Sequence, residues 1–78
     1  MPQPNTNVPE NVRQMWREVY ILFDTHYLMD VSKQESWDSF WSGGRQILEK
    51  YKDIPSVIEL LGVTSELISK LAAVRAKA

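Results

Sequence analysis

The sequence predicts an all-α fold, a small three-helix bundle, on three observations. Apolar residues recur three and four apart through three separate stretches. A helix-start signal, Ser32-Lys33-Gln34-Glu35, separates the first stretch from the second, and a proline at position 55 separates the second from the third. The chain has 78 residues, enough for one domain. A domain of this size buries only roughly 60 to 65% of the surface its unfolded chain exposes, so its core has to be efficient.

Residues 1 to 7 carry two prolines and small polar side chains with almost nothing to bury, and are expected to be a disordered tail. A single helical domain over 8 to 78 follows. Asn7 stands three residues before Glu10 with Pro9 between them, which reads as a capping box with proline in the first turn. Val12, Met15, Trp16, Val19, Tyr20, Leu22, Phe23, Tyr27 and Met29 then cover one broad half of a helix over about 9 to 30. Ile21 and Leu28 do not join them. They lie seven apart on the face that carries Gln14, Arg17, Asp24 and Thr25.

The box at Ser32 opens a second helix, expected over about 33 to 52. Trp37, Phe40, Trp41, Ile47, Leu48 and Tyr51 keep one phase across it, and the vacant position on that stripe is Gly44. That continuity predicts a helix running through Gly43-Gly44 despite a cost of roughly 1 kcal/mol per glycine. A Gly44 without Cβ would admit another backbone or a ring such as Trp16. The rival reading is two short helices joined at the glycines. Trp16, Trp37 and Trp41 each lie on an apolar stripe and are expected in the core.

Asp53-Ile54-Pro55 ends the second helix, and Pro55 is placed to open a third, over about 55 to 76. Val57, Leu60, Leu61, Thr64, Leu67, Ile68, Leu71 and Val74 keep a single stripe if this is one helix. A kink or split at Gly62, with a fresh start at Thr64 or Ser65, is the other reading.

The charge balance, nine basic against ten acidic residues, argues against a diffuse nucleic-acid or anionic-membrane binder. No basic flank with an apolar core opens the chain and no run of about eighteen apolar residues occurs, so a cytoplasmic protein without membrane association is expected. The chain has no cysteine, which removes disulfides and thiolate metal sites. His26 is the only histidine, and Asp24 and Asp30 beside it point in different directions on a helix, so no catalytic or metal set is expected. No cofactor and no small-molecule ligand is indicated, and the chain is read as a non-enzyme.

Two resemblances bear on function. Residues 53 to 73, DIPSVIELLGVTSELISKLAA, resemble the helix-turn-helix unit of bacterial repressors: Leu61-Gly62-Val63-Thr64 matches its turn, and Ile68-Ser69-Lys70-Leu71 matches its recognition helix. Ile58 departs from the pattern, since that family has a small residue there. The resemblance implies a DNA-binding regulator that contacts bases or phosphates through Thr64, Ser65, Glu66, Ser69, Lys70 and Arg75. The net charge of +2 over 64 to 78 is thin for that task. Over residues 12 to 74, the order of MWREVYILFDTHYLMD, WDSFW and GRQILEKY ahead of an aliphatic third segment is similar to short helical open reading frames of prophages and mobile elements of Gram-positive bacteria. That similarity implies a small accessory protein that works by binding.

The leading expectation is therefore a non-enzymatic protein that docks on a protein partner, as adaptor or inhibitor of host machinery, or on a second copy of itself. Exposed apolar residues of the first or third helix would make the contact. On the first helix the candidates are Ile21 and Leu28 with their neighbours Arg17 and Asp24.

Overall fold

The computed structural model describes residues 8 to 77, so the expected tail over 1 to 7 and the cap at Asn7 lie outside the described residues. Three helices follow in order: α1 (Glu10–His26), α2 (Gln34–Lys50) and α3 (Val57–Lys77). All three pack on one another as a small all-α bundle. Contacts fix their directions. Glu18 at the middle of α1 meets Tyr51 and Lys50 at the end of α2, while His26 at the end of α1 meets Ser39 near the start of α2, so α1 and α2 are antiparallel. Arg75 near the end of α3 reaches Tyr27 just past the end of α1, so α1 and α3 run the same way.

The core is built where the three apolar stripes meet. Met15, Val19 and Leu22 come from α1, Phe40 and Ile47 from α2, Val57, Leu61 and Ile68 from α3, and Tyr51 from the turn after α2. Phe40, fully buried, is its centre. The rings of His26, Trp37 and Trp41 each meet it edge-on, with centroids at 5.6, 5.8 and 4.9 Å, the geometry aromatic quadrupoles favour.

Helix α2 runs unbroken through both glycines. A Cβ at Gly43 would lie 2.7 Å from Leu22 Cδ1, so this glycine is where α1 presses against α2. At Gly44 the neighbours are the Trp41 ring, 3.3 Å from a Cβ position, and Leu61 Cδ2 at 3.8 Å. Trp41 and Leu61, rather than Trp16, take the space that Gly44 leaves.

Three sequence expectations need correction. First, α1 ends at His26 and not near residue 30. Thr25 Oγ1 donates to the Ile21 carbonyl at 2.8 Å and the His26 ring bonds the Leu22 carbonyl at 2.9 Å, while the Arg75 guanidinium takes the Tyr27 carbonyl. The Thr25 and His26 side chains thus add second bonds to carbonyls inside the last turns, and Arg75 satisfies the Tyr27 carbonyl, which lies past the helix end and has no helical donor. Second, no side-chain cap forms at the start of α2 among the described residues. The Ser32 hydroxyl is spent elsewhere: it donates to Asp30 Oδ1 at 2.6 Å, and the Ser32 N–H donates to the same oxygen, an Asx-type turn that competes with capping. Third, Pro55 does not open α3. It sits in a turn closed by Val57 N–H to Ile54 O, and the helix starts at Val57, its first bond running from Leu60 N–H to Ser56 O.

The third helix is continuous through Gly62, the single-stripe reading of the sequence, and not split there. No glycine among the described residues has positive φ, so nothing at Gly62 turns the chain. The Thr64 hydroxyl donates to the Leu60 carbonyl and the Ser65 hydroxyl to the Gly62 carbonyl, so both bond back within the same helix. The scaffold and recognition helices of a helix-turn-helix unit are one rod here.

Candidate docking face

Helix α1 carries apolar residues over a wider arc than α2 and α3 together can cover. The surplus opens beside α3. Trp16 is 56% exposed and Tyr20 64%, and across from them on α3 Val63 is 61% and Leu67 44% exposed. The expectation of a buried Trp16 is therefore wrong, and Trp41 too is only partly covered. Of the three tryptophans Trp37 fits best, half-buried with its indole N–H donating to the Val31 carbonyl at 2.8 Å.

These side chains line a continuous groove between α1 and α3. Its wider part, about 410 Å³, is bounded by Val12, Met15, Trp16, Ile54, Ser56, Glu59, Leu60 and Val63. Its narrower part, about 210 Å³, is bounded by Trp16, Val19, Tyr20, Phe23, Leu60, Thr64 and Leu67. Trp16 and Leu60 belong to both parts. Helical spacing explains the lining: Trp16, Tyr20, Phe23 and Tyr27 fall four, three and four apart on one edge of α1, and Leu60, Val63 and Leu67 three and four apart on the facing edge of α3. The Tyr20 and Phe23 rings lie 6.3 Å apart and those of Phe23 and Tyr27 5.5 Å apart. Arg75 closes the row, its guanidinium carbon 4.9 Å from the centre of the Tyr27 ring.

The residues expected to meet a partner are placed as follows. Arg17, Ile21 and Asp24 are exposed on α1, but Leu28 lies in the turn after it, so Ile21 and Leu28 do not form a heptad seam. Ile21, 52% exposed, borders a separate depression between α1 and α2 with Glu18 and Gln46. Arg17 and Asp24 stand between Ile21 and the Trp16–Tyr20 row, forming the outer rim of the groove. The residues expected to touch DNA are scattered by the continuous α3. Thr64 is buried, Ser65 is half-buried, Glu66 pairs with Lys70 at 3.0 Å, and Arg75 is held against Tyr27; Ser69 is exposed.

His26 links two helices. A carbonyl can only accept, so Nδ1–H donates to Leu22, and Nε2 pairs with the Ser39 hydroxyl at 3.1 Å. A second polar link joins the opposite end of the same helix pair. The Tyr51 hydroxyl donates to Glu18, whose carboxylate also meets Lys50 Nζ at 2.9 Å. The hydrogen bond from Tyr51 and then that from Lys50 hold the Glu18 pKa below its ordinary value, and the carboxylate raises those of Tyr51 and Lys50. Among the described residues no group of three or more His, Asp or Glu is arranged to hold a metal, and no helix is long and apolar enough to cross a membrane.

The chain is thus a three-helix bundle whose distinctive surface is apolar rather than charged. No protein-family model, curated protein or solved structure matches it. The sequence could have pointed to Trp16 and Tyr20 by one sign: the apolar arc of α1 is broader than two neighbouring helices need. Val63 and Leu67 gave no comparable sign until the direction of α3 beside α1 was known.

Proposed function

We propose that this chain is a small non-catalytic protein of the cytoplasm that acts by docking on a protein partner through the groove between α1 and α3. The partner element it suits is an amphipathic helix whose apolar residues recur three and four apart, the repeat that fits a helix-lined groove. The observation that carries the reading is the exposure of Trp16, Tyr20, Val63 and Leu67 on one contiguous face. Large aromatic side chains left partly open beside aliphatic ones are the composition of interface anchors, and an apolar patch of this extent on a small protein marks an interaction site. An adaptor or inhibitor carried by a phage or mobile element, docking on host machinery, is the role this surface and the order of the three segments suggest.

A selection of displayed peptides against the sparsely immobilised chain tests this without knowledge of the partner. Enriched peptides should carry amphipathic helical spacing and should lose binding to the Trp16→Gln, Tyr20→Gln double variant. Equal enrichment on both proteins would contradict the reading.

A further inference from the structure

Resting on the reading of the α1–α3 groove as a docking face, we infer that its occupant in the free protein is a second copy of this chain, related by a two-fold axis parallel to the helices. The charged rims of the groove carry the argument. On the outer edge of α1, Glu10 is followed by Arg13 and Arg17 and then by Asp24; on the outer edge of α3, Glu59 and Glu66 precede Lys70 and Lys77. All eight are exposed. Because α1 and α3 run the same way, with Val12 and Trp16 level with Glu59 and Leu60, the basic part of one rim lies at the height of the acidic part of the other.

A two-fold axis along the groove lays α1 of each copy over α3 of the other, at the same height. Arg13 and Arg17 then face Glu59 and Glu66, and Asp24 faces Lys70. The same operation stacks the Trp16 edge of one copy on the Val63 edge of the other. A perpendicular axis would set α1 on α1 and α3 on α3 in opposite directions, with Arg17 over Asp24 and Glu59 over Lys70 of the other copy; only the parallel axis sets the α1 rim against the α3 rim, which is what mixing the two reversed-rim variants reads.

The size of the face sets the class of contact. Aromatic side chains present roughly 150 to 250 Å² each, so Trp16 and Tyr20 together leave on the order of 250 Å² open. With the aliphatic side and both rims of both copies the contact comes to roughly 1,200 Å² in total, the low end of specific interfaces. Affinity within that class follows the fit of Trp16 and of the rim pairs rather than the area.

Sedimentation equilibrium from low micromolar to near-millimolar chain tests the inference, on the parent and on two variants with reversed rims. Arg13→Glu, Arg17→Glu places acid against acid, and Glu59→Lys, Glu66→Lys places base against base. The parent should approach twice the monomer mass, each variant alone should associate about tenfold or more weakly, and an equimolar mixture of the variants should recover the dimer. Circular dichroism confirms that both variants are folded, since every changed side chain is exposed. A parent that stays monomeric throughout, or a mixture that associates no better than its components, overturns the inference. If the parent is monomeric while displayed helices still bind the Trp16 face, the second copy is excluded and the docking reading stands; if neither binds, both fall.

Discussion

Gly43 of α2 faces the Leu22 side chain of α1 with no room for a Cβ between them. An alanine methyl there would sit 2.7 Å from Leu22 Cδ1, inside van der Waals contact, and Leu22 is itself buried in the core. Relief therefore requires a displaced core side chain, an overpacking cost of about 1 to 3 kcal/mol. The gain in helix propensity from removing glycine is about 1 kcal/mol. Gly43→Ala should lower stability by about 1 kcal/mol, measured by urea unfolding; a more stable variant would show that Leu22 rotates away freely. The sequence alone offered no reason for a glycine at 43, because the residue lies off the apolar stripe. The reason belongs to a partner on another helix.

Gly62 makes the opposite case at the scale of the element. No atom among the described residues beyond its own helix and chain neighbours lies within 4 Å of a Cβ built there, and α3 passes through it without positive φ. Gly62→Ala should stabilise the protein by about 0.5 to 1 kcal/mol, read as a higher urea midpoint with unchanged slope. A loss of stability would mean that the chain turns at Gly62, as a helix-turn-helix unit requires. The α1–α2 pair makes a second element-scale prediction through Glu18. Its folded-state pKa is depressed, first by the Tyr51 hydroxyl and then by Lys50. The folded state therefore holds the charged carboxylate more firmly than the unfolded chain does. The resulting stability is present above the ordinary Glu range, near the reference value of 4.5, and fades as pH falls through the depressed folded value. Glu18→Gln should flatten the stability profile over that acid window, followed by thermal unfolding at a series of pH values. A profile as steep as the parent's would assign the acid sensitivity to other carboxylates.

At the scale of the whole molecule, three helices cannot cover every apolar residue the chain carries. The helices themselves were legible in the sequence, because α2 keeps one phase from Trp37 to Tyr51 and α3 keeps one from Val57 to Val74. Their ends were less so. The Ser32 hydroxyl had two local bonding choices and took Asp30, and the carbonyl just past the end of α1 is met by Arg75, a residue 48 positions beyond Tyr27. The proposed docking face was half legible. Periodicity placed Trp16 and Tyr20 correctly on the apolar arc of α1, but it cannot say how much of an arc the neighbours will cover. That depends on which edges of α1 and α3 meet, a property of the assembled bundle.

The central claim is that Trp16 and Tyr20 belong to a binding face rather than to the fold. The most direct test is the stability of the Trp16→Gln, Tyr20→Gln double variant, by urea unfolding at a concentration too low for association. Both side chains are more than half exposed, so the loss should stay below about 1 kcal/mol, within the usual range for surface substitutions. A loss of about 3 to 5 kcal/mol, the scale expected for truncating a buried ring such as Phe40, would place both rings in the core and contradict the account.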